Sequence, residues 1–134
     1  MNMRTCIIID KSMENGFRYN ACSIVMGQLA RDNPNMYGNI LLDKSGAQHA
    51  SIKSNVVILQ SNQGKLINFV EMLLKSRRKF VLFTKSGQNY SNEYNKYESC
   101  INSSDFQTLG VVCVGLYGIE SDIKELTKKF SLAK

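Results

Sequence analysis

The side chains best suited to chemistry are one cysteine, one histidine and a polar cluster near the N-terminus. Cys22 lies just inside the start of an expected helix, where backbone N–H groups favour a thiolate and can make it nucleophilic. Its place in an apolar stripe also suits a buried, inert thiol. His49 is the only histidine of the chain. From an expected hairpin it could reach over a cleft as a general base, and a surface or hydrogen-bonded histidine is the plainer reading. Arg18 has the planar fork that binds a carboxylate or phosphate bidentately. Tyr19 and Asn20 follow it, and Asn20 would either cap the helix or hydrogen-bond a ligand. Lys11 next to Asp10, and Lys85 after Thr84, follow two buried strands. If those strands end on one sheet edge, Lys11, Arg18, Tyr19, Asn20, Thr84 and Lys85 gather around one cleft as its ligand-binding set, with Asp10 beside them. The end of a strand feeding a helix N-terminus is a favoured ligand site in α/β proteins.

The elements that must position these residues are legible as periodicities. Residues 4–10 are β-branched and apolar, a first strand. A polar turn with Gly16 precedes a helix over 19–31, with Ala21, Cys22, Val25, Met26 and Leu29 as its apolar stripe. Asn33-Pro34 ends that helix. Ile40–Leu42, the turn Asp43–Gly46 and Gln48–Ile52 read as a hairpin, and Asn55–Gln60 as a strand covered on both faces. Ser61 or Asn62 caps a second helix to about Arg78, and Arg77, Arg78 and Lys79 suit its negative end. Phe80–Thr84 is a buried strand and Lys85–Tyr90 a loop. A helix runs from Ser91 to about Ile101, whose Tyr94 and Tyr97, with Tyr90, could stack on bases or sugars or simply pack. Leu109–Leu116 is a strand whose Gly110 and Gly115 mark a bulge or a close backbone approach. Ser121 caps a last helix. Strands alternating with helices imply a three-layer α/β/α sandwich, with a mixed, mostly parallel sheet of four to five strands.

Composition narrows the function classes. A chain of 134 residues makes one domain, 1–134. No apolar run approaches the roughly 18–20 residues that cross a membrane, and the N-terminus has no export-signal pattern, so a cytoplasmic protein is expected. The cysteines Cys6, Cys22, Cys100 and Cys113 include no CxxC pair, so no metal site and no cofactor are expected, and the thiols should be reduced. The glycines form no GxGxxG fingerprint and no GxSxG elbow is present. The net charge of +6 suits an anionic partner such as RNA or a small anion, and also suits plain solubility.

The strings CIIID, NACSIVMGQLA, LLDKSGAQHASI, FVLFT and LGVVCVGLYG resemble the family catalogued as domain of unknown function 2000, over nearly the whole chain. The hairpin with its histidine resembles that branch in particular. The resemblance implies the peptidyl-tRNA hydrolase type II fold and suggests a homodimer. Carried over residue by residue, Arg18 takes roughly the place of a lysine in the turn entering the first helix, and Ala21 matches an alanine. Cys22 replaces a glutamine, Val25 stands where the hydrolases have a histidine, and Thr84 where they have an aspartate. Valine moves no proton and threonine is no carboxylate. The expected function is therefore an anion-, small-ligand- or RNA-binding module with a degenerate hydrolase site. The alternatives are a hydrolase of an acyl ester or amide linked to tRNA, with His49 or Cys22 catalytic, and a homo-oligomeric regulatory domain.

Overall fold

The computed structural model describes residues 2–90 and 92–134. In chain order the elements are β1 (Met3–Asp10), α1 (Asn15–Asp32), β2 (Leu41–Leu42), β3 (Gln48–His49), β4 (Asn55–Ser61), α2 (Gln63–Lys75), β5 (Val81–Thr84), α3 (Lys85–Asn89), α4 (Tyr94–Asn102), β6 (Val111–Ile119), α5 (Glu120–Thr127) and β7 (Ser131–Leu132). Five strands form one mixed sheet in the order β5-β6-β1-β4-β7, and β2 and β3 form a separate hairpin.

Strand alternation divides the core between the two sheet faces. Cys6 and Ile8 of β1 face α2 and α5, in a cluster with Leu59, Leu66, Phe69, Leu73 and Ile123. Ile7 and Ile9 face α1, in a cluster with Ala21, Val25, Leu29, Phe83, Val112 and Cys113. The register skips between Phe83 and Thr84, where two residues of β6 stand against one of β5. Hence the consecutive residues Val112 and Cys113 both face α1. Gly115 lets α1 lie directly on β6: a Cβ there would sit 2.3 Å from Val25 Cγ1 and 2.8 Å from Leu29 Cδ1.

Several expectations need correction. The sheet is not mostly parallel: β1 pairs β4 in parallel, but β1–β6, β5–β6 and β4–β7 are antiparallel. Alternating strands and helices do not say whether a helix crosses the sheet or returns along one edge, and α3 and α4 return to the adjacent antiparallel strand β6. The first helix starts at Asn15, so Arg18, Tyr19 and Asn20 lie within its opening turns rather than at its mouth. Gly16 falls in its first turn. Lys85–Tyr90 is not a loop, since Thr84 caps the short helix α3. The second helix ends at Lys75, with Asn62 as its cap, and α5 begins at Glu120 with Ser121 inside its first turn. The two-residue strand β7 is too short to have a periodic signature.

Candidate functional site

The topology brings the C-terminal ends of β1 and β5 to one sheet edge, because both run antiparallel to β6. The residues expected around them separate into three places. Asp10 continues the β1 alternation onto the α2 face, where it is buried. It accepts hydrogen bonds from Ser12 N (2.9 Å), Ser12 Oγ (2.8 Å) and Gln63 Nε2 (3.0 Å). Gln63 also grips the backbone of Val111, donating to its O at 2.6 Å and accepting from its N at 2.7 Å. The cluster ties the ends of β1, α2 and β6 together.

Arg18 faces backbone rather than open space. Its Nε donates to Met13 O (2.8 Å), one terminal nitrogen to Lys134 O (2.9 Å) and the other to Lys11 O. Arg18, Tyr19 and Cys22 line a small pocket of about 250 Å³ with Ile9, Ile58 and Lys134. Lys11 donates its backbone N–H to Ser61 O at 2.9 Å. The Thr84 hydroxyl accepts from Gly87 N, and the Lys85 stem lies over Gly110.

The third place is larger and holds Asn20. A cleft of about 730 Å³ opens between the N-terminal half of α1 and the α3–α4 excursion. Its walls carry five aromatic residues, Phe17, Phe83, Tyr90, Tyr94 and Tyr97, together with Ile24. Phe83 forms the floor and meets Tyr97 edge-on, with ring centroids 6.5 Å apart. Gly87 lets α3 approach that floor: a Cβ there would lie 2.5 Å from Phe83 Cε1. Burial pushes the Tyr97 phenol above its ordinary pKa, so it stays protonated. The polar lining is Glu14, Asn20, Gln88 and Asn92, and no Lys, Arg or His is among the described lining residues. Gln88 Nε2 donates to Phe17 O (3.3 Å) and Asn20 Oδ1 (3.5 Å). That arrangement leaves the Asn20 NH₂ and the Gln88 carbonyl oxygen, an adjacent donor and acceptor, for a third group.

His49 is in neither pocket. Its hairpin precedes Asn55, which pairs with Arg4 at the start of β1, so it springs from the opposite sheet edge. There His49 Nε2 meets Asp43 Oδ2 at 2.8 Å in an exposed pair. The structure thus brings Arg18, Tyr19 and Cys22 together, places Asn20 in the aromatic cleft and leaves His49 apart. Phe17, Phe83, Gln88 and Asn92 escaped the sequence reading. The only signal toward them was the tyrosine cluster 90–97, which periodicity alone does not separate from core packing.

The sequence matches the family described as protein of unknown function (DUF2000) over residues 3–134. The chain belongs to this family. A solved structure of a protein of unknown function from Agrobacterium tumefaciens strain C58 shares the fold: it is 13% identical, with 100% of this chain and 99% of that chain covered at a TM-score of 0.87. Comparison with curated proteins gives no match. Among the described residues no group of three His, Cys, Asp or Glu side chains is placed to hold a metal, and no helix is long and apolar enough to cross a membrane.

Proposed function

We propose that this domain is a small-ligand-binding module that holds a flat, uncharged ring with an amide-like edge, the chemistry of a nucleobase, in the aromatic cleft. The observation that carries this reading is the cleft lining: five aromatic side chains surround the paired Asn20 and Gln88 amides, with no cationic side chain among the described lining residues. Its volume and mostly apolar walls fall within the ordinary range for small-molecule sites. Bases stack on aromatic faces without charge, while one amide donor and one acceptor can read a lactam or amidine edge. The net charge of +6 supports an RNA as one carrier of such a ring.

The fold is read here as that of the type II peptidyl-tRNA hydrolases, on the resemblance of the five sequence strings. Two observations support a binding role over hydrolysis. Val25, at the position of the hydrolase histidine, is fully buried beneath α1, and Thr84, at the position of the aspartate, caps α3. Neither is placed to move a proton.

The test is titration calorimetry with the four ribonucleosides, followed by a short oligonucleotide ending in the best of them. Phe17 is about half exposed at the cleft, so Phe17→Ala removes a stacking face without opening the core. A loss of one stacked contact, about 1–3 kcal/mol, weakens binding by about 5- to 150-fold. Equal affinity of wild type and variant, or no nucleoside binding at all, refutes the proposal.

A further inference from the structure

The small pocket beside the cleft contains a second chemistry. Cys22 of α1 is half-buried and lines this pocket, so a small molecule entering it meets the sulfur. Behind it lies Cys113, fully buried at the β6 bulge and in register with Ile9 and Phe83. Gly115 lies under Val25, so Cys113, two residues earlier on the same face of β6, belongs under the preceding turn of α1, and Cys22 of that turn packs against the cluster that holds Cys113. The interaction of the two thiols lowers the pKa of Cys22 and raises that of Cys113. Arg18, one helical turn before Cys22, lines the same pocket. Cys6 differs on each count: it lies buried on the other sheet face, and burial raises its thiol pKa to about 11.

We propose that Cys22 and Cys113 form an oxidisable dithiol pair, with Cys22 attacking a hydroperoxide that enters the small pocket and Cys113 resolving the product. In the first step the Cys22 thiolate attacks a peroxide oxygen. The S–O bond forms, the O–O bond breaks, and the leaving oxygen takes a proton to give water or an alcohol. In the second step the Cys113 sulfur attacks the Cys22 sulfenic acid. The S–S bond forms, the S–O bond breaks, and the Cys113 proton leaves with the oxygen as water. Two thiols are oxidised and one peroxide is reduced. The pairing needs no partner chain, since one sulfur is accessible and the other is already beside it.

The experiment treats the reduced protein with stoichiometric hydrogen peroxide, then combines a free-thiol assay with non-reducing peptide mapping. The expected result is a fall from four titratable thiols to two, one Cys22–Cys113 cross-link, and full recovery with dithiothreitol. In Cys113→Ala the disulfide is lost and Cys22 accumulates as a sulfenic acid trapped by dimedone. Cys113→Val gives the same readout if the alanine variant fails to fold. Cys22→Ser abolishes both products while Cys6 stays unmodified. A disulfide through Cys100, overoxidation of Cys22 in the wild type without a cross-link, or no loss of thiols overturns the proposal.

Discussion

Gly115→Ala is expected to destabilise the protein through one identifiable contact. The new Cβ would lie 2.3 Å from Val25 Cγ1 and 2.8 Å from Leu29 Cδ1. Both partners are buried on α1, and neither is a flexible chain end that can swing into solvent. Either α1 lifts from β6 or the side chains leave their rotamers, and such overpacking costs about 1–3 kcal/mol. With an unfolding entropy of about 2.1 cal/mol/K per residue, a loss of about 2 kcal/mol lowers Tm by about 7 °C in a chain of this length. Val25→Ala alone should cost about 2 kcal/mol, from two lost methyl groups and the space they leave. In the double variant the added Cβ fills part of that space, so the two costs should fall short of additivity by about 1–2 kcal/mol. Urea denaturation of all four proteins, with m held constant, measures the cycle. Strict additivity, or a neutral Gly115→Ala, would refute the packing of α1 on β6 that positions both pockets.

Two further outcomes follow from the polar contacts. Gln63→Ala removes the side-chain partner of Asp10 Oδ2 and of both backbone groups of Val111 in a part-buried site, so urea unfolding should show a loss of about 2–4 kcal/mol, against less than 1 kcal/mol for an exposed control such as Gln107→Ala. The Asp43 carboxyl is held below its ordinary value of 3.8 by His49 first, and then by the amides of Ala47 and Ser45. A lowered carboxyl pKa contributes stability above the unfolded value, and that contribution is lost as pH falls through the folded one. The hairpin should therefore loosen only below about pH 4, and carboxyl NMR of His49→Ala should show the Asp43 midpoint move upward; an unmoved midpoint removes His49 as the cause.

The fold was readable wherever burial imposes a period. The runs Cys6–Ile9 and Val111–Val114 are buried on both faces, and the stripe Ala21, Val25 and Leu29 is the one that α1 buries. Strand direction was less readable, because a hydrophobic run is the same read up or down the sheet. The candidate site was readable only in part, since the cleft joins α1 to a segment about seventy residues later. Asn20 was found as a polar residue near a helix start, but its partner Gln88 stands in what the Gly87 signal marked as a loop. Arg18 has the type expected of an anion binder, yet its donors meet three carbonyls, and which acceptor an arginine finds is decided by tertiary structure.

The most direct measurement of the central claim is NMR shift mapping of the ¹³C-labelled protein during titration with the tightest-binding nucleoside. Binding in the aromatic cleft predicts saturable shifts at the Phe17, Phe83, Tyr94 and Tyr97 rings and at the Asn20 and Gln88 amides, with His49 and Arg18 unmoved. Shifts centred on Arg18 and Cys22, or on the His49 hairpin, would contradict it.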